Sequence, residues 1–287
     1  MASLLETLEA PIPRPLFWFG LPVLGLSLVL LFMFLGFPYS DLIAPISQQI
    51  EQSTGSEIRI DRIEAQITLG GPGFSLHDVR LAEVGGAPLE LEVLKVRPAW
   101  STSWFRGAPA FAIDLTGPSL ALSGIFTAGD GYGFSGEVQL PDLSLLPLPA
   151  EDSISLSGAL TAVGDLSIVG GEVHGTVAFE AEAGSAAHPS FPMALAFDAV
   201  SGRAKLGGEV WLTLKEFEFE GPIISARAEG TVDHPGDAPS AALDLAIELE
   251  VANPAFQTAL SAMGLRVGRD GRTAFDLGGT LQNPVFR

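Results

Sequence analysis

Cysteine is absent from the 287 residues, so disulfides, thiolate nucleophiles and thiolate metal sites are excluded together. Histidine is scarce. His77, His174, His188 and His234 are scattered, and none stands at ligand spacing from another, which predicts no metal centre. Basic residues are few as well: 15 Lys and Arg face 34 Asp and Glu, for a net charge of −19. Such a surface repels phosphate backbones and anionic headgroups, so a nucleic-acid partner is not expected. The acidity is read as keeping a β-rich domain soluble, with a dock for a basic partner as the alternative. No G-x-x-x-x-G-K-[ST] or G-x-S-x-G motif is present. Gly131-Tyr132-Gly133-Phe134-Ser135-Gly136 has the G-x-G-x-x-G spacing, but it leads into Glu137-Val138-Gln139-Leu140, a strand pattern, where a dinucleotide site needs a helix. The sequence therefore predicts a protein that is not an enzyme and carries no cofactor.

Charge is also missing from one long stretch, Pro15 to Ser40. The apolar run within it, Leu16 to Phe37, is long enough at about 1.5 Å per residue to cross roughly 30 Å of hydrocarbon. Leu16, Trp18, Leu21, Leu24, Leu28, Leu31, Phe34 and Phe37 are its anchoring side chains. Gly36-Phe37-Pro38-Tyr39 lacks the small-residue pattern of a cleavage site, so a retained anchor is expected rather than a signal peptide. Arg14 precedes the run and no basic residue follows it before Arg59. This bias places 1–14 as a cytoplasmic tail, 15–38 as the transmembrane anchor and the remainder outside, in the periplasm if the membrane is a bacterial inner membrane.

Next, Ser40 can cap a short amphipathic helix over 40–55, with Ile43, Ile46 and Ile50 at helical spacing, Pro45 near its start and Gly55 as its stop. From residue 56 the apolar period becomes two, as in Leu89-Leu91-Val93, Phe111-Ile113-Leu115, Val173-Gly175-Val177-Phe179, Met193-Leu195-Phe197 and Val210-Leu212-Leu214. Turn signals such as Gly70-Gly71-Pro72-Gly73, Gly117-Pro118, Gly170-Gly171 and Pro235-Gly236-Asp237 separate the runs. The fold class that follows is mainly β: a single N-terminal transmembrane helix, then an antiparallel meander of about a dozen strands over 56–287 with one or two short helices. One of these helices is signalled by Asn253 as cap, Pro254, Phe256, Leu260, Met263 and a Gly264 stop, and the last strand by Thr273 to Leu281. The Pro-rich segment 141–150 is the one candidate sub-boundary.

Leu243, Leu245, Ile247, Leu249 and Val251 form the clearest apolar face, because Asp244, Ala246, Glu248 and Glu250 alternate with them. That face must meet something dry. A closed sandwich and an open groove that shields lipid acyl chains have the same alternation. Glu216, Glu218 and Glu220 are expected to share a solvent face opposite Phe217 and Phe219, and Trp100, Trp104 and Phe105 to pack in a turn or to contact lipid or a partner.

Several segments resemble the type II secretion system protein N family. They are Phe37-Pro38-Tyr39, Glu51 to Gly55, Phe74 to Leu81, Pro88 to Pro98 with Val96-Arg97-Pro98, and Phe105-Arg106-Gly107-Ala108-Pro109. Gly278 to Phe286 resembles the end of AsmA-like envelope proteins. The first resemblance implies an accessory component of the type II protein secretion machinery, partnered by other envelope proteins of that machine. The second implies a groove-forming sheet for lipid binding or transfer. Neither supplies catalytic residues.

Overall fold

The computed structural model describes residues 14–54, 57–68, 71–84, 87–145, 155–187, 194–208, 210–233, 241–262, 265, 267–280 and 284–286. Helix α1 spans Arg14–Gly36, a 3-10 turn spans Tyr39–Leu42, and α2 spans Ile43–Thr54. The strands are β1 (Ile58–Thr68), β2 (Gly71–Val84), β3 (Ala87–Pro98), β4 (Ala110–Thr116), β5 (Ala121–Ala128), β6 (Tyr132–Leu140) and β7 (Ser155–Val169). They continue as β8 (Glu172–Ala187), β9 (Leu195–Leu206), β10 (Leu212–Glu220), β11 (Ile224–Asp233), β12 (Ala242–Val251), β13 (Arg272–Gly279) and β14 (Pro284–Phe286), with α3 (Pro254–Ala262) between β12 and β13.

All fourteen strands form one antiparallel sheet in sequence order, each paired with the next. The mainly β, antiparallel meander read from the alternation is thus observed, as a single sheet rather than two facing ones. Short turns explain it, because an antiparallel neighbour needs only a hairpin whereas a parallel one needs a crossover. After β13, which ends at Gly279, Pro284–Phe286 adds a short last strand.

Among the described residues, strict alternation breaks at three non-glycine positions with a left-handed backbone, and β2 carries a further register shift between Leu81 and Val84. Asp78, Ala183 and Glu216 have φ of +51°, +47° and +54°, values that non-glycine residues seldom adopt. At such a point the strand advances without flipping its face. Leu76 and Val79, three residues apart, therefore join one apolar cluster, as do Ile60 and Ile63 on β1. On β10 the register shifts between Leu214 and Phe217, on either side of Glu216. The i, i+2 spacing of Glu216, Glu218 and Glu220 is interrupted at the bulge, yet the Glu216 carboxylate still meets Arg203 on the polar side of the sheet. Glu216 sits in the bulge and pairs with Arg203 at 3.1 Å, and Glu218 pairs with Arg227 at 2.9 Å.

With odd-numbered strands drawn running upward, α2, the 3-10 turn Leu143–Leu145 and α3 lie at the lower end of the sheet, and a 3-10 turn, Thr102–Arg106, joins β3 to β4 at the upper end. Ile43 of α2 packs on Ile60, Val79 and Leu91. Leu143, in a 3-10 turn after β6, is buried against Ala181 and Phe197. In that turn the Ser144 N–H donates to Asp142 Oδ1 at 2.9 Å, and this bond holds the exposed carboxyl below its ordinary range. Phe256 and Leu260 of α3, with Leu265, pack on Ile224 and Val251. The Asn253 carbonyl accepts from the N–H groups of Phe256 and Gln257, which agrees with a helix starting at Pro254. Met263 and Gly264 lie outside the described residues. For the helix after α1, Ser40 is not the cap: it lies within the 3-10 turn, and α2 begins at Ile43 with Pro45 in its first turn.

Across residues 141–150 the sheet is continuous, since β6 pairs with β7 from Tyr132↔Ile168 to Leu140↔Leu160. Residues 146–150 lie outside the described set.

Candidate functional site: an uncovered apolar sheet face

In an antiparallel sheet, directly paired residues point to the same side. Cross-strand pairs therefore trace rows over the sheet. One row starts at Ala65 on β1 and runs through Phe74, Val96 and Ile113 to Gly124 on β5. It continues through Gly136, Gly164, Val177 and Ala204 to Leu214 on β10. It ends through Gly230, Leu245 and Leu277 at Phe286 on β14. All fourteen strands contribute, and every member is apolar or glycine. A second row from Pro98 passes through Phe111, Phe126, Phe134, Leu166, Gly175, Leu206, Leu212 and Val232 to Leu243.

The opposite face is polar. Gln139, Thr161, Glu180, Ser201, Glu218, Arg227 and Glu248 follow one another in register. Arg80–Glu90, Arg227–Glu218 and Arg272–Glu250 are direct cross-strand partners joined at 3.5, 2.9 and 3.1 Å. Being exposed, each contributes at most about 1 kcal/mol. Their consequence is register, because a slip by one residue would exchange the two faces.

Glycines in the apolar row give its floor a particular shape. A Cβ on Gly124 or Gly136 would lie 2.8 Å from the Phe134 ring, and one on Gly202 would lie 2.7 Å from Phe179 Cζ. The rings lie down over neighbouring glycines, a packing that fills the space a bare strand position leaves.

The five residues singled out on β12 fall where expected, on one side. Leu243 and Val251 are buried at the two ends of the strand, while Leu245, Ile247 and Leu249 between them are only half-buried. Ile247 pairs with Ala228 and Phe275. The chain exposes 18972 Å². A compact monomer of 30.0 kDa would expose roughly 11,700 Å². An uncovered sheet layer and the exposed side chains of α1 both contribute to the excess, since a sheet face is ordinarily buried against a second layer.

Leu24, Leu28, Leu31 and Phe37 on and just after α1 are exposed, and Phe34 is partly covered. Leu16, Trp18 and Leu21 have side chains outside the described set. Among the described residues no single helix is long and apolar enough to cross a membrane. The pair Pro22–Gly36 and Tyr39–Gln49, bent by 64° at its break, meets the length and composition test together. Phe34, Tyr39 and Phe74 form an aromatic triangle with centroids 5.3–5.9 Å apart, and the Tyr39 hydroxyl donates to the Phe34 carbonyl at 2.6 Å, joining the end of α1 to β2.

Trp100 and Phe105, weighed as core or turn packing, are 72% and 93% exposed, so a core role is corrected. Trp104 keeps a local contact: its Nε1–H donates to the Ala99 carbonyl at 2.8 Å. His77 and His174 stand on β2 and β8, with Nε2 3.6 Å from Glu64 and Glu172 respectively, and His188 and His234 lie outside the described residues. The G-x-G-x-x-G segment opens β6, as its strand pattern indicates. No group of acidic or histidine side chains suited to a metal ion occurs among the described residues. Comparison with models of known protein families, with curated proteins and with solved structures returns no match for this chain.

Proposed function

We propose that this chain is a bacterial inner-membrane protein whose periplasmic sheet holds lipid acyl chains against its apolar face. In this reading α1 is the membrane anchor and the N-terminus is cytoplasmic. The observation that carries it is the fourteen-strand apolar row, half-exposed along its middle and backed by a polar face. Fourteen strands at about 4.8 Å spacing give a surface on the order of 60 Å long, and open sheets of more than about ten strands curl, which turns a face into a groove. A floor without buried charge or specific hydrogen-bond donors suits a flexible hydrocarbon chain. Each methylene removed from water gains up to about 0.8 kcal/mol, so chain length rather than headgroup would set affinity.

The test is mass spectrometry of lipid retained by the full chain extracted from native membranes, beside Ile247→Asp, with circular dichroism on both. Wild type is expected to carry lipid, and the variant to keep its strands and lose the lipid. A folded wild type without lipid would overturn the reading. The resemblance over residues 15–125 supports a second setting, an accessory role in the type II protein secretion machinery beside its other envelope proteins. Defective export of folded proteins in a strain lacking the chain, with membrane lipid distribution unchanged, would favour that setting.

A further inference from the structure

The two ends of the sheet differ in chemistry. The lower end is closed by α2, the Leu143 turn and α3, each with buried apolar contacts. At the upper end, the connections from β3 to β10 carry exposed large side chains: Trp100, Trp104, Phe105, Tyr132, Val169 and Trp211. Those three tryptophans are all the chain has beyond α1. Among exposed large apolar residues of the described sheet domain, Leu145 alone lies at a lower connection.

The upper end is also where α1 arrives. Phe34 and Tyr39 touch Phe74, three residues from the upper start of β2, and four residues after Tyr39 the chain has reached Ile60 near the lower end through Ile43. The contact of Phe34 with the sheet thus lies three residues, about 10 Å, from the upper start of β2. Trp and Tyr are the side chains that settle at the headgroup level, having an apolar body and a polar edge.

We propose that the upper edge of the sheet, from β3 to β10, rests on the surface of the same bilayer that α1 enters, with Trp100, Trp104, Phe105, Tyr132, Val169 and Trp211 dipping into the interface. The partner is a lipid surface recognised by aromatic insertion rather than by charge, since the chain is strongly acidic and would be repelled by anionic headgroups. This edge is separate from the apolar face, but it rests on the reading of α1 as the anchor.

The experiment uses the full chain carrying Trp18→Phe, reconstituted in phosphatidylcholine vesicles, so that only the three edge tryptophans fluoresce. Expected is blue-shifted emission, quenched by lipid spin-labelled at a shallow acyl position and shielded from acrylamide. Adding Phe105→Glu and Val169→Glu, both at exposed positions, should cut the lipid quenching several-fold with strand content unchanged, and Phe105→Leu should retain it. Ile247→Asp in the Trp18→Phe background should leave the quenching intact, which separates edge docking from lipid held on the sheet face. Water-like emission open to acrylamide in the Trp18→Phe chain overturns the proposal. So does quenching that survives the two glutamates and vanishes with Ile247→Asp, which would mean the tryptophans sense carried lipid only.

Discussion

The rings of Phe179 on β8 and Phe217 on β10 meet with centroids 6.4 Å apart, over a strand that offers them only Gly202. One strand, β9, separates these residues in the sheet, and the missing side chain between them is what lets the rings touch. The contact lies in the middle of the apolar face, where no second layer would otherwise immobilise either ring.

Gly202→Ala is therefore expected to destabilise the sheet although Gly202 has an ordinary strand backbone. The added methyl would sit 2.7 Å from Phe179 Cζ, so the ring must swing away, at a cost of about 1–3 kcal/mol. Chemical denaturation of the purified chain measures this. Combined with Phe179→Leu, most of the loss should disappear, because the clash goes with the ring. Equal losses in both backgrounds would show that Gly202 matters for another reason.

Ala183→Gly should act in the opposite direction. Ala183 holds φ of +47°, where a Cβ costs roughly 1–2 kcal/mol, and glycine escapes that cost while adding some unfolded-state entropy. A net gain of about 0.5–1 kcal/mol is expected in the same denaturation assay. A loss would mean that the left-handed turn at Ala183 is not maintained in solution.

For α1, Leu28→Arg should impair membrane insertion by about 2.5–3.5 kcal/mol if Leu28 lies at mid-bilayer. Leu28 is exposed on the helix surface, so the substitution breaks no contact that holds the sheet together. Membrane fractionation after carbonate extraction reads the effect. An undiminished membrane yield would count against a spanning α1.

How much of this was legible in the sequence depended on the range of the cause. The strand character, the antiparallel pairing and the β12 face from Leu243 to Val251 follow from local alternation and short turns, and all three are present in the fold. The helix start at Asn253-Pro254 was legible for the same reason, since capping involves residues within one turn of each other. The parity breaks at Asp78, Ala183 and Glu216 were not. A residue forced to positive φ has no composition signal unless it is glycine, and Leu214 and Phe217 look like two unrelated runs until the bulge aligns them.

By itself, then, the sequence determined the local states: an uncharged helical stretch, strands with one greasy and one acidic side, turns at glycine and proline, and no thiol chemistry. Only the tertiary structure decided that Ala65, Phe74 and twelve further residues on as many strands line up in one row, that no second sheet among the described residues covers them, and that Trp100, Phe105, Tyr132 and Trp211 share one end. The physical reason is register. Which residues of two strands stand opposite each other is set by turn lengths and bulges summed over the whole meander, and that sum is invisible to any window of the chain shorter than the sheet.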